Sequence, residues 1–270
     1  MVTKIPIGPG TSKNAPASSG LHVVPTRGSP NTPTSGHESA NPLLNVGGGS
    51  LYGARITGPT GFEVEAYFAI FADPAARTAV LEIAPGSTPY FVPNQSLSLS
   101  ERTSYGVGEL IRAAVKQGAQ KILVVCGEPG AIDGGAGMAQ ALGVGLFDVK
   151  GRQIAWGGRA LTKLARIDLS GIDPAMRRLE IHCVDDHNFI LCGPRGIAKL
   201  LVSRSHLPSK SDPLLALALE HYADVIHHEL GIDVRMIPGG GAAGGVGASL
   251  YAFLNATLES SSPISALRSA

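Results

Sequence analysis

Asp133, Gly134 and Gly135 stand between two stretches of very different character. Before them, Ile122 to Val125 is a continuous run of branched apolar residues, the pattern of a strand buried on both faces of a parallel sheet. After them, Ala136 to Leu142 is alanine-rich, reads as a helix and stops at Gly143. Strand, glycine turn and helix in this order can offer free backbone N–H groups and a helix N-terminus to an anion. The same glycines would also let a helix pack close to a sheet, and spacing alone leaves both open. A second glycine run, Gly239, Gly241 and Gly244, fits GxGxxG after a strand-like stretch and before a helix, as in a dinucleotide fingerprint. No second βαβ unit with a ribose-binding acid follows it. His221, Asp224 and His228 fall on one helical face at a spacing that could hold a metal. Glu220, His227 and Glu229 spread charge around the same helix, so a solvated polar face is the better reading.

The elements that must position these residues follow from periodicity. YGARITG, FEVEAYFAIF and TAVLEIA, from Tyr52 to Ala84, alternate as strands, with Gly58-Pro59-Thr60-Gly61 as the first turn, and predict an antiparallel meander. Thr103 or Ser104 can cap a helix whose Val107, Leu110, Ile111, Ala114 and Val115 share one face, ended by Gly118. Gly145 to Val149 reads as a short strand, Gly158 to Arg166 as a helix and Leu179 to Val184 as another strand. On that strand His182, alternating with Ile181 and Cys183, reads as a satisfied sheet residue. Ser211, Asp212 and Pro213 start a long helix that runs to Gly231.

Composition sets outer limits. With 270 residues, 44% of them hydrophobic, the chain can bury a sizeable core in one large or two small domains. A net charge of +1 without a basic run argues against nucleic acid as a partner. The sequence contains no apolar stretch long enough to span a bilayer, and the prediction is a soluble cytoplasmic protein. Cys126, Cys183 and Cys192 lack CxxC spacing and read as buried free thiols. Residues 1–49 hold seven prolines and eight glycines but four charged residues, too little apolar surface to offset chain entropy.

Five pieces in a fixed order then resemble the type I glycerate kinases: SYGVGELI, DGGAGM with ALG behind it, ARIDLSGIDP, GPRG, and PGGGAAGG followed by GASLYAFL. The resemblance spans roughly Gly48 to Leu254. It implies an ATP- and Mg2+-dependent enzyme that phosphorylates D-glycerate to 2-phosphoglycerate. By the same resemblance Asp133 and Asp186 organise the metal or the attacking hydroxyl, and Ser87 and Ser104 are polar contacts. Gly134, Gly135, Gly239 and Gly241 hold substrate or phosphate. The implied fold class is α/β: a glycerate kinase-like inserted domain with a mixed sheet and glycine-rich turns, beside an incomplete flavodoxin-like nucleotide domain. The corresponding division is 1–46 as a mostly disordered or remnant segment, 47–258 as the α/β domain and 259–270 as a tail.

Several positions depart from the family's pattern. KIPIGPGTSK at Lys4 to Lys13 is a worn version of its opening strand and loop, with Lys13 on the family's lysine and Gly10 in place of its aspartate. Glu82 resembles the glutamate of a strand that feeds the family's active site, although an outward strand residue reads equally well. Aligned on GPRG, Asp186 falls on the first aspartate of the family's CDVDNP loop, whereas Asn188 replaces the second and cannot act as a base. Leu201 to His206 occupy the place of a lysine-bearing loop, with Arg204 one position from that lysine. The family's final segment has no counterpart before the chain stops. These departures support an alternative: an inactive pseudokinase that keeps the fold and binds at most a small acid or a partner.

Overall fold

In a computed structural model of the protein the described residues are 2–5, 49–72, 76–83, 97–127, 129–204 and 213–260. Three long antiparallel strands come early: β2 (Gly49–Thr57), β3 (Glu63–Ala72) and β4 (Arg77–Ile83), with Val2–Ile5 (β1) paired antiparallel to β2. The meander is as the alternation predicted. The turn between β2 and β3 is closed by Gly58, whose N–H donates to the Phe62 carbonyl at 2.7 Å.

Helix α1 (Tyr105–Lys116) follows and turns its Leu110, Ile111 and Ala114 stripe into the core. It ends at Gly118, whose φ of +86° continues the chain where a side chain would be strained. β5 (Lys121–Cys126) then lies parallel to β4, and every residue of it is buried. Its alternate residues serve two cores. Ile122, Val124 and Cys126 join the main cluster beneath the helices, while Leu123 and Val125 meet Val80, Val184 and Phe71 on the other face. That explains the unbroken apolar run.

Beyond the turn at Asp133 come α2 (Ala136–Ala141) and a small antiparallel pair, β6 (Gly145–Phe147) and β7 (Arg166–Asp168). The helix expected from Gly158 to Arg166 is a 3-10 helix, Gly158–Lys163, and it ends early because Leu164 is already extended, with ψ 132°. β8 (Glu180–Val184) lies parallel to β5. α3 (Ile197–Arg204), α4 (Pro213–Leu230) and α5 (Ala242–Leu254) lead to β9 (Thr257–Glu259), parallel to β8. The mixed sheet is therefore seven-stranded, in the order β1-β2-β3-β4-β5-β8-β9. Among the described residues, no helix is long and apolar enough to cross a membrane.

The three cysteines are buried free thiols, as expected. Cys126 and Cys183 meet across β5 and β8 with their sulfurs 3.4 Å apart. Burial, reinforced by Glu220, pushes the Cys192 thiol up to about 12. His182 is satisfied between Glu180, at 2.8 Å, and Glu259.

Candidate active site

The parallel strands β4, β5, β8 and β9 all point their carboxyl ends to one edge of the sheet. Ligands of open α/β sheets bind beyond such an edge. Two of the loops there are well described: the turn after β5 that contains Asp133, and the acidic loop after β8.

Asp133 is 1% exposed, and its carboxylate accepts four hydrogen bonds. Oδ2 takes the Ser104 N–H at 2.8 Å, the Ser104 hydroxyl at 3.0 Å and the Gly137 N–H at 3.2 Å, and Oδ1 takes the Gly135 N–H at 3.0 Å. Burial pushes this carboxyl up, and the four donors pull it back. Ser104 flanks the start of α1 but turns its hydroxyl away from its own helix, receiving the Met138 N–H of α2 at 3.0 Å. One buried carboxylate thus serves the N-termini of two helices, where their dipoles favour negative charge.

In this structure the turn's own donors are engaged within the protein. The Gly134 N–H already donates to the Gly244 carbonyl at 3.1 Å and the Ala136 N–H to the Asp133 carbonyl at 3.0 Å, so the donors from Gly134 to Met138 all have protein partners. The anion at this helix start is the protein's own Asp133. Ser104 likewise has its N–H and hydroxyl on Asp133.

The second glycine run is also a packing device. No strand leads into it, and Ala243, Gly244 and Gly245 have positive φ angles that interrupt the start of α5, so the dinucleotide fingerprint lacks its structural context. The run is wedged between the two loops. A Cβ on Gly241 would stand 2.5 Å from the Ile190 carbonyl oxygen, and one on Gly245 would stand 2.5 Å from the Gly134 Cα. The Gly241 N–H is held by the Phe189 carbonyl at 2.8 Å. Gly239 and Gly241 are buried.

The acidic loop differs in kind. Asp185 closes onto the end of β9 through its N–H to the Glu259 carbonyl at 3.1 Å, and its side chain is 5% exposed. Asp186 is 68% exposed, and His187, half-exposed, contacts the carboxylates of both. Among the described residues these three are the group whose ligand atoms lie close enough together, within 4.8 Å, to share a metal ion. Asp133 is not among them, so the structure does not join Asp133 and Asp186 in one cluster. Asn188 adopts a left-handed backbone, φ 51°, which asparagine tolerates, and donates its amide to Ser260 Oγ at 2.8 Å. A carboxylate there could not donate.

The remaining expected site residues fall elsewhere. Glu82 is an exposed residue of β4. Arg204 is the last residue of α3, so the stretch aligned with the lysine loop is helical as far as that point. Ser87 and Lys13, and most of the expected 1–46 segment and 259–270 tail, lie outside the described residues. The polar face of α4 binds protein groups: His221 contacts the Leu164 carbonyl at 2.7 Å, Asp224 pairs with Arg235, and His228 faces Glu229 at 3.1 Å. Sequence reasoning missed Asp185 and His187 as partners of Asp186, although three polar residues after an apolar strand were a visible signal. It also passed over Arg195 and Lys199, both exposed on the segment that follows the acidic loop.

With this geometry in place, the sequence signature of the Glycerate kinase family matches residues 36–266. The chain belongs to that family. It is 40% identical to glycerate 2-kinase of Escherichia coli K12 over 207 residues, 77% of this chain and 54% of that relative. With glycerate kinase of Bacillus subtilis 168 the identity is 36% over 224 residues, 83% of this chain and 58% of that protein. A crystal structure described as glycerate kinase 2 from Salmonella typhimurium LT2 superposes with a TM-score of 0.71 at 38% identity, covering 78% of this chain and 56% of that one. The chain therefore spans about half the length of the glycerate kinases it matches.

Proposed function

We propose that this chain takes part in ATP-dependent phosphorylation of D-glycerate to 2-phosphoglycerate, with Asp186 as the carboxylate that serves the reacting groups. The carrying observation is the position of Asp186: an exposed carboxylate beyond the carboxyl end of β8, at the edge where open α/β sheets receive ligands, in a member of a kinase family. The C2 hydroxyl oxygen of glycerate forms a bond to the γ-phosphorus as the bond to the bridging oxygen of ADP breaks, and the hydroxyl proton leaves toward a carboxylate or water. When bound, Mg2+ with ATP supplies the phosphoryl group and neutralises part of its charge. The chain's own part is to hold the hydroxyl and the cation in place with Asp186. Arg195 and Lys199, exposed on the segment that follows the acidic loop, are the cations proposed to meet the acid or phosphate, in the role that the family's loop lysine vacates. Asp133 is assigned to the scaffold, because its buried carboxylate already accepts four hydrogen bonds from the protein.

The test is 2-phosphoglycerate formation by the purified chain with ATP and D-glycerate, beside Asp186→Ala. Turnover that falls about a hundredfold or more in the variant is the expected result. Turnover that the variant keeps would overturn the role of Asp186. A second reading, a pseudokinase that only binds a small acid, draws on Asn188, whose amide is tied to Ser260 where the family has a carboxylate. It predicts thermal protection by glycerate with no product at all.

A further inference from the structure

Two thiols that no step of phosphoryl transfer uses lie in contact at the carboxyl edge of the parallel strands. Cys126 is the last residue of β5 and Cys183 the next to last of β8, and their sulfurs stand 3.4 Å apart. Both face the main cluster, with Cys126 7% exposed and Cys183 2% exposed. In the strand register Cys183 is opposite Val124, so the two cysteines are diagonal neighbours across the parallel pair. Each stands just ahead of a loop of the candidate site: Cys126 precedes the turn that contains Asp133, and Cys183 is separated from Asp185 by Val184 alone. A buried cysteine ordinarily packs as a small hydrophobe. Sulfur against sulfur is a different arrangement, because it holds a second thiol where an oxidised first one would need it.

We propose that Cys126 and Cys183 form an oxidation site, a thiol pair that hydrogen peroxide converts to a reversible disulfide clamping the ends of β5 and β8 together. Cys126, the more exposed of the two, reacts first. Its thiolate sulfur bonds to one peroxide oxygen as the O–O bond breaks, giving a sulfenic acid and a hydroxide that takes up the thiol's proton as water. The Cys183 sulfur then attacks the Cys126 sulfur: the S–S bond forms, the S–O bond breaks, and the hydroxyl leaves with the Cys183 proton as a second water. Two thiols are oxidised and one peroxide is reduced to two waters. The hydrogen bond with Cys183, burial and the charge of Asp185 hold the Cys126 thiol well above its ordinary range, so the first step is slow. The second needs no encounter, since Cys183 is already in contact. The bond joins positions 57 apart in the chain, and it ties the strand that feeds the Asp133 turn to the strand that feeds the Asp186 loop. Cys192 lies against Glu220 instead and serves as the unreacted control.

The experiment exposes the reduced full chain, freed of reductant, to hydrogen peroxide for increasing times, alkylates the remaining thiols in denaturant, and reads intact mass and labelled positions. The expected product is a monomer with a single label, on Cys192, and dithiothreitol restores labelling of all three cysteines. Its urea midpoint should exceed that of the reduced chain, because the cross-link restricts the unfolded state. Cys183→Ala should accumulate a sulfenic acid on Cys126 that dimedone traps and that the wild type does not retain. Should that variant fail to fold, the labelling pattern of the wild type decides alone. Three labels kept after peroxide, a disulfide to Cys192 or between chains, or over-oxidation without a cross-link overturns the site. A cross-linked chain no harder to unfold than the reduced one overturns the clamp. None of these readouts needs turnover, so they stand apart from the kinase reading.

Discussion

A carboxylate with four donors and a carboxylate facing solvent answer differently to the same substitution. Asp133→Ala removes the acceptor of the Ser104, Gly135 and Gly137 donors and leaves them buried, at a cost of about 1–3 kcal/mol for each group that finds no new partner. The expected loss exceeds about 3 kcal/mol in urea unfolding, enough to consume much of a domain's stability. Asp186→Asn, at a site 68% exposed, should stay within about 0.5 kcal/mol of the wild type while reducing turnover. A stable Asp133→Ala chain that lacks only activity would return Asp133 to the chemistry. Both residues are aspartates next to chemistry-bearing neighbours in the sequence. Burial separates them.

At the scale of elements, the glycines decide how closely helices and turns meet. Gly134 has φ +66°, and a Cβ there would stand 2.7 Å from the ring of Tyr222, a fully buried residue of α4. That ring is itself fixed. The Ser249 hydroxyl of α5 donates to the Gly134 carbonyl at 2.6 Å, so the Tyr222 hydroxyl donates to Ser249 at 2.7 Å. Gly134→Ala should therefore combine left-handed strain of about 1–2 kcal/mol with overpacking of about 1–3 kcal/mol. Denaturant unfolding of this variant and of Gly134→Ala with Tyr222→Ala should show non-additive losses, because removing the ring makes room for the new methyl. Strictly additive losses would mean that the turn is not packed on α4. The helix pair is built alike: a Cβ on Gly108 of α1 would stand 2.4 Å from the Met138 carbonyl oxygen of α2.

For the whole molecule, the edge strand β1 is the piece most open to test. Residues 1–46 were expected to be a mostly disordered or remnant segment that keeps a worn opening strand from Lys4; within it Val2–Ile5 pair antiparallel with Ala54 to Leu51 of β2. Deleting 1–46 should leave a folded chain by circular dichroism with a lowered melting temperature, and it should turn β2 into an exposed edge that promotes self-association on size-exclusion chromatography. A monomer with unchanged melting would show that β1 adds nothing to the sheet. By itself the sequence determined the elements whose signal is local: the meander from its alternation, β5 from an apolar run buried on both faces, α1 and α4 from their periodicity, and the family from five short pieces in order. Only the tertiary structure decided what the polar residues do. Whether an aspartate beside two glycines binds a ligand or caps two helices depends on which donors, distant in sequence, reach it, and Ser104 reaches Asp133 from 29 positions away. The loop after β8 was legible as acidic, but the burial of Asp185, whose N–H meets the Glu259 carbonyl at the end of β9, is something no local pattern encodes.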